Sequence, residues 1–222
     1  MLVLDDLMID GLKIAQDDTL YRFTSDAVLL SHFASRKKGD IVADFCSGSG
    51  IVGINYYLLD KTPKSVDLIE IQKPLADLSQ KTVDMNNLGG VFTVLNQSVQ
   101  SLGDEYNEKY TLVLCNPPYK KKNSGEQNLS EHIAVCRHEV KITQEEIVST
   151  AARVLKRGGR LAMCQRVERL TDLIVSMRNN SLEPVKLQFI CTTEKNPPYL
   201  FLIEAVKGVK PQLKVLKEKV NK

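Results

Sequence analysis

Between residues 41 and 206, short runs of Val, Ile, Leu and Phe alternate with segments of helical period. This alternation constrains the fold more than any other feature, because runs too short for a helix predict buried strands and the stretches between them predict crossovers. IVADF (41–45), VDLIE (66–70), VFTVL (91–95), TLVLC (111–115) and RLAMCQ (160–165) read as strands. A helix is predicted from Gly50 through IVGINYYLL. Another has Pro74 in its first turn, continues to about Asn87 and stops at Gly89-Gly90. Thr143 and Glu146 have the spacing of a capping box, which opens a helix to Lys156 that ends before Gly158-Gly159. ERLTDLIVSMRNN (168–180) has helical spacing of its apolar residues. VKLQFIC (185–191) and LFLIEAV (200–206) are too close for a crossover helix, so they are predicted antiparallel. The expectation is an α/β three-layer sandwich: a mostly parallel seven-stranded sheet with an antiparallel terminal hairpin. A single domain over 1–222 is expected. Residues 1–39 form an N-terminal extension packed on the core, with SDAVLLSHFA (25–34) as a helix capped by Ser25, and 207–222 form a basic tail.

The net charge of +3 is too small to require a polyanionic partner, but its distribution points to one. Lys120, Lys121 and Lys122 are consecutive, and the tail carries Lys207, Lys210, Lys214, Lys217, Lys219 and Lys222 against Glu218 alone. A Lys run is either a solvated face or a phosphate contact. The five cysteines are scattered without a CxxC pair, which argues against a disulfide framework or a zinc site. His132 and His138 have no ligand spacing with them, and no metal is expected. Reduced thiols, an acidic start (MLVLDDLMIDG) and no apolar run of 18 residues lead to the expectation of a cytoplasmic chain without a membrane span.

ADFCSGSGIVG (43–53) places Gly48, Gly50 and Gly53 between a strand and a helix. The pattern suits a dinucleotide loop, an S-adenosylmethionine loop or an unliganded tight turn. Asp44 separates the first two. A carboxylate at the strand end repels a pyrophosphate, whereas the cationic sulfonium and ammonium of S-adenosylmethionine are attracted to it. Glu70 closes the next strand, where it can accept hydrogen bonds from both hydroxyls of a ribose. It indicates an adenosine ligand without choosing between the two cofactors.

NPPY occurs twice, at 116–119 and at 196–199. Ligands of open α/β sheets lie outside the carboxyl ends of the strands. The first copy follows TLVLC directly and so shares an edge with Asp44 and Glu70. The second precedes LFLIEAV, is expected at the opposite end, and reads as a turn into that strand. In the first copy, Asn116 Oδ1 and the Pro117 carbonyl can each accept one hydrogen of an exocyclic amine, localising a lone pair otherwise delocalised into the ring. Pro117 and Pro118 stiffen the loop, and Tyr119 can stack on the base.

DFCSGSG, VDLIEIQ and VLCNPPY together resemble class I S-adenosylmethionine-dependent methyltransferases of the NPPY amino-methylating type, a Rossmann-like fold. FTSDAVLLSHFA (23–34), EIQKPLADLSQKTVDMNNL (70–88), CRHE (136–139), RLAMCQRVERLTDLI (160–174) and EAVKGVKPQLKVL (204–216) extend the likeness over nearly the whole chain. They are similar to the bacterial valine-tRNA adenine-N6 methyltransferase family. The resemblance implies methylation of the adenine 3′ of the anticodon. It implies cofactor contacts from Asp44, Cys46, Gly48, Gly50, Glu70, Ile71, Gln97, Ser98 and Asn116, and a catalytic loop of Asn116, Pro117, Pro118 and Tyr119. Lys120, Lys121, Lys122, Arg137, Lys207, Lys210 and Lys214 are the expected tRNA contacts, with a local ion pair as the other reading of Arg137. The chain departs from the pattern after strand three, where the family offers an Asp to the cofactor adenine. Here LNQSV puts Ser98 in that place, with Asn96 and Gln97 beside it. Three other readings stay open: a protein-glutamine methyltransferase, disfavoured by the roughly 40 residues before strand one; a DNA adenine methyltransferase, which needs a target-recognition segment; and a non-catalytic RNA-binding module.

Overall fold

The computed structural model describes residues 1–7, 9, 11–20, 22–117, 142–210 and 213–221. Among these residues the chain begins with a hairpin, β1 (Leu2–Asp6) and β2 (Lys13–Asp17), followed by helix α1 (Ser25–Phe33). Three βα units follow in part: β3 (Ile41–Phe45), α2 (Ile51–Leu58), β4 (Ser65–Ile69), α3 (Lys73–Met85) and β5 (Phe92–Leu95). Then come β6 (Tyr110–Cys115), α4 (Gln144–Val154), β7 (Leu155–Arg166), α5 (Leu170–Asn179), β8 (Leu182–Cys191) and β9 (Leu200–Lys207). Two short strands, β10 (Lys214–Val215) and β11 (Lys219–Val220), end it.

The central sheet has the order β5-β4-β3-β6-β7-β9-β8, with β10 and β11 on the outer edge of β8. Every pairing is parallel except the two made by β9. This is the expected α/β sandwich, widened from seven strands to nine by the basic tail. Two-residue strands have no readable period, so composition alone showed only a tail. The chain order reverses between β3 and β6, which makes the carboxyl ends of these two strands the topological switch point where ligands bind.

Two apolar layers cover the sheet. Phe45, Val113, Met163, Phe201 and Ile203 pack with α4 and α5 on one face. Val42, Leu68, Leu112, Leu114 and Ala162 pack with α1 and α2 on the other. The β1–β2 hairpin was not anticipated. It docks on α3, where Thr82 Oγ1 accepts from the Ala15 amide at 2.9 Å and Asn86 Nδ2 donates to the Lys13 carbonyl at 2.7 Å.

The helix boundaries follow local chemistry. At α4 the capping box is closed: Thr143 Oγ1 accepts from the Glu146 amide at 3.3 Å, and Glu146 Oε2 from the Thr143 amide at 2.7 Å. The helix stops at Val154, short of the expected Lys156, because β7 begins at once. Gly158, at φ +75°, and Gly159 fall in the bulge where the β6–β7 register shifts. Helix α3 ends at Met85, ahead of Gly89-Gly90, with Asn87 at φ +56° making the left-handed exit. Ser25 does not cap α1. Thr24 occupies the cap position, and Ser25 Oγ instead accepts from Asn221 Nδ2 at 2.7 Å.

Candidate active site

The loop after β3 is built around two close approaches. Gly50 opens α2 at φ +86°, and a Cβ there would lie 2.9 Å from Leu68 Cδ1. A Cβ on Gly53 would lie 2.7 Å from Leu68 Cδ2 and 3.2 Å from Asp44 Oδ2. Only glycine lets α2 descend far enough for the Gly53 amide to donate to Asp44 Oδ2 at 2.8 Å. Gly48 sits at φ +57° with open space where a Cβ would project. Ser79, buried on α3, donates to the Gly48 carbonyl at 2.9 Å and fixes the loop from below.

Two carboxylates lie behind this loop. Asp44 is 0% exposed, and its Oδ1 has no hydrogen-bond partner among the described residues. Burial pushes its pKa from 3.8 to about 7; the Gly53 amide opposes the rise and the nearby Glu70 adds to it. Glu70 is buried as well, and burial raises its pKa against the amides of Gln72 (to Oε1, 2.8 Å) and Gly48 (to Oε2, 2.9 Å). A carboxylate has about four lone-pair sites, so Glu70 keeps acceptor capacity beyond these two bonds. Ile71, next to it, is a large apolar side chain left 43% exposed. Two buried carboxylates, one with an unpartnered oxygen, suit a cationic ligand and oppose a pyrophosphate. With an open glycine loop and an apolar shelf, they fit the methionyl, ribosyl and adenine parts of S-adenosylmethionine.

The strand register sets the rest of the row. Phe45 pairs with Ile69 on β4 and with Cys115 on β6. Cys46, Glu70 and Asn116 therefore leave the sheet side by side. Cys46, at φ +54°, contacts Cys115, whose thiol is held protonated chiefly by burial. Asn116 is half-buried and Pro117 buried. Pro118, Tyr119, Lys120, Lys121, Lys122, His132, Arg137, His138 and Glu139 lie outside the described residues. Ser98 is engaged locally: its hydroxyl accepts from the Gln100 amide at 3.3 Å and donates to Gln100 Oε1 at 3.0 Å, capping a 3-10 turn. Asn96 Nδ2 donates to the carbonyls of Glu70 (2.8 Å) and Ile71 (3.1 Å), tying the end of β5 to the end of β4. The Gln97 amide donates to the Leu95 carbonyl at 3.0 Å.

One expectation about edges is corrected. Strand β9 runs against its neighbours, so its first residue lies at the carboxyl edge: Leu200 pairs with Arg166, the last residue of β7. The second NPPY is thus on the same edge as the first, two strands away, a lateral spacing of about 10 Å. Its turn character rests on hydrogen bonding instead. Asn196 Nδ2 donates to Thr192 Oγ1 at 2.8 Å, and its amide to the Thr193 carbonyl at 3.3 Å. The same reversal carries Lys207 to the amino edge, ~23 Å along the strand from Leu200. There Lys207 Nζ donates to the Leu155 carbonyl at 2.7 Å. Lys210 follows it, and Lys214, on β10 four strands across the sheet from β6, pairs with Lys186 midway along β8. The structure does not bring these three lysines together with Asn116. Gly53 and Ser79 were missed as site residues; the third glycine of the loop pointed to Gly53, and nothing local marked Ser79.

A glycine loop, paired carboxylates and an Asn-Pro turn at the switch point of this sheet define a Rossmann-like methyltransferase. The model of the methyltransferase small domain matches residues 24–179, and the chain belongs to that family, with S-adenosylmethionine as the methyl donor. Among curated relatives, a Parabacteroides distasonis protein named tRNA1(Val) (adenine(37)-N6)-methyltransferase is 23% identical over 188 residues, covering 85% of this chain and 78% of the relative. A Photobacterium profundum protein of the same name is 25% identical over 185 residues, covering 82% and 75%. Among solved structures, one described as a predicted O-methyltransferase from Agrobacterium tumefaciens superposes with a TM-score of 0.69 at 18% identity, covering 88% of this chain and 86% of that one. The tRNA m1G37 methyltransferase of M. jannaschii gives 0.59 at 14% identity, covering 95% of this chain and 55% of its own. These structural likenesses concern the fold.

Among the described residues, no group of three or more His, Cys, Asp or Glu is placed to hold a metal. Among them, no helix is long and apolar enough to cross a membrane.

Proposed function

We propose that the chain is an S-adenosylmethionine-dependent adenine-N6 methyltransferase acting on tRNA, at the adenine 3′ of the anticodon in a valine tRNA. The names of the curated relatives support the substrate. The observation that carries the chemistry is Asn116-Pro117 leaving β6 beside the buried pair Asp44 and Glu70.

Bound S-adenosylmethionine supplies an electrophilic methyl group, and the chain supplies everything else. Asp44 Oδ1 accepts from the ammonium end, Glu70 from the ribose hydroxyls, and Ile71 covers the adenine. Ser98 is engaged in its turn, so the adenine is held mainly by apolar contact. Asn116 Oδ1 and the Pro117 carbonyl accept the two hydrogens of the target amine and direct its lone pair at the methyl group. No strong base is required, because the amine becomes acidic only once it is methylated. Tyr119, stacked on the base, and Pro118 complete this loop in the proposal. A base within structured RNA reaches the loop only after leaving its stack.

The test is transfer of labelled methyl from S-adenosylmethionine to unmodified tRNA, followed by nucleoside analysis. N6-methyladenine that is lost in Asn116→Ala, with cofactor binding retained, is the expected result. Label in protein or DNA but not in tRNA would overturn the substrate while leaving the amine chemistry.

A further inference from the structure

The sheet order divides the carboxyl edge into two halves. The cofactor residues occupy β3, β4 and β5, and the Asn-Pro turn stands at β6. An RNA that delivers a base to Asn116 must lie over the remaining half, formed by the ends of β7, β9 and β8. That half is built from segments far apart in sequence. Tyr199 is its hub: its hydroxyl hydrogen-bonds with Asn221 Nδ2 at 2.8 Å and with Asp26 Oδ1 at 3.3 Å, and Asn221 also reaches Ser25. The Arg166 guanidinium lies 5.6 Å from the centre of the Tyr199 ring. Lys195 is exposed in the turn just before it.

The tail climbs the outer edge of β8 to reach this hub. Lys214 pairs with Lys186 midway along β8, Lys219 with Ile190, and the Asn221 amide donates to the Cys191 carbonyl at 2.9 Å. Extended backbone points alternate side chains to opposite faces. Lys219 and Asn221 therefore face α1, while Glu218 turns the other way, to within 3.9 Å of Cys191 Sγ. The alternation separates Lys219 from Glu218. A positive local field is also felt by His32 on α1, whose pKa is lowered by partial burial, then by Lys219 and Arg36.

We propose that this outer carboxyl edge, with Lys195 and Lys219 as its cations and Tyr199 as its fixed ring, binds the phosphate backbone of the RNA flanking the target base. The proposal rests on the tRNA reading above. It moves the phosphate contacts of the tail from Lys207 and Lys210, near the amino edge, and from Lys214, midway along β8, to Lys219 at the carboxyl edge, and it makes Asn221 a positioning residue that holds Tyr199.

Binding of tRNA is measured against salt concentration for the full chain. Removing one cation that neutralises a phosphate lowers the slope of log affinity against log salt by about 0.7 to 0.9. Lys195→Ala and Lys219→Ala are expected to lower it by that amount each. They should raise the KM for tRNA several-fold, leaving kcat and the S-adenosylmethionine Kd as they were. Lys64→Ala, exposed at the amino edge, serves as the control and leaves the slope as it was. Asn221→Ala should raise the KM for tRNA without changing the slope. Wild-type protein that methylates tRNA, with Lys195→Ala and Lys219→Ala showing its slope, overturns this surface alone, as does a reduced slope in Lys214→Ala instead. Wild-type protein that neither binds nor methylates tRNA overturns the tRNA reading and the surface with it.

Discussion

Strand β3 has a buried carboxylate at each end, and the two are handled in opposite ways. Asp40, before the amino end, is 3% exposed and pairs with Arg160 Nη2 at 2.6 Å. It also accepts from Thr111 Oγ1 at 2.8 Å, Tyr56 OH at 3.2 Å and the Lys37 amide at 2.9 Å. Asp44, four residues on, has one amide partner and a buried oxygen with none among the described residues. Both sites are desolvated, but among the described residues only Asp40 is paired with a cation. The contrast separates a carboxylate satisfied within the fold from one left with acceptor capacity at the ligand edge, and burial alone does not distinguish them.

The sharpest way to break this comparison is to remove the inner cation. Arg160→Ala should destabilise the protein by about 3–5 kcal/mol, because it leaves Asp40 buried and unpaired. Urea unfolding measures it, and a decrease below about 1 kcal/mol would make the two ends equivalent. Asp44→Asn should do the reverse: stability without cofactor is kept or raised, while the Kd for S-adenosylmethionine rises at least tenfold, about 1.4 kcal/mol. Calorimetry and thermal melts on the same sample compare the two effects.

The pH dependence of the cofactor-free protein sharpens the same point. With Asp44 raised from 3.8 to about 7, the folded chain holds a proton that the unfolded chain has released over that interval. Its contribution to stability is full below about 4 and is lost as pH rises to about 7. Asp44→Asn should flatten that part of the profile. Cofactor affinity should move oppositely, rising with pH toward 7 and releasing a proton on binding; calorimetry in buffers of different ionisation enthalpy detects the proton.

Smaller still is the effect expected of Gly53→Ala. Its methyl would push on Leu68 and Asp44, costing about 1–3 kcal/mol of stability and weakening cofactor binding as Asp44 shifts. Ser98→Ala, which removes only a turn cap, should change the cofactor Kd by less than twofold; a larger change would put its hydroxyl on the adenine.

The alternation of strands and helices, the antiparallel last strand, the capping box and the row of Asp44, Glu70 and Asn116 were legible in sequence, because each rests on local chemistry or on a position at a strand end. The β1–β2 hairpin was not, since its partner is Thr82 and Asn86 on α3, far along the chain. Lys207, Lys210 and Lys214 were drawn toward RNA by charge alone, and charge carries no address within a fold.

Sequence by itself determined the class of fold, the methyl donor and the position of Asn116-Pro117 at the end of β6, because periodicity and residue type act over a few neighbouring positions. Tertiary structure decided which edge each charge occupies. The reversal of β9 moved the second NPPY to the active edge and Lys207 away from it, and the climb of the tail along β8 brought Lys219 to Ile190 and Asn221 to Tyr199. Strand direction in a sheet depends on the pairing of segments distant in sequence, and only the folded chain contains it.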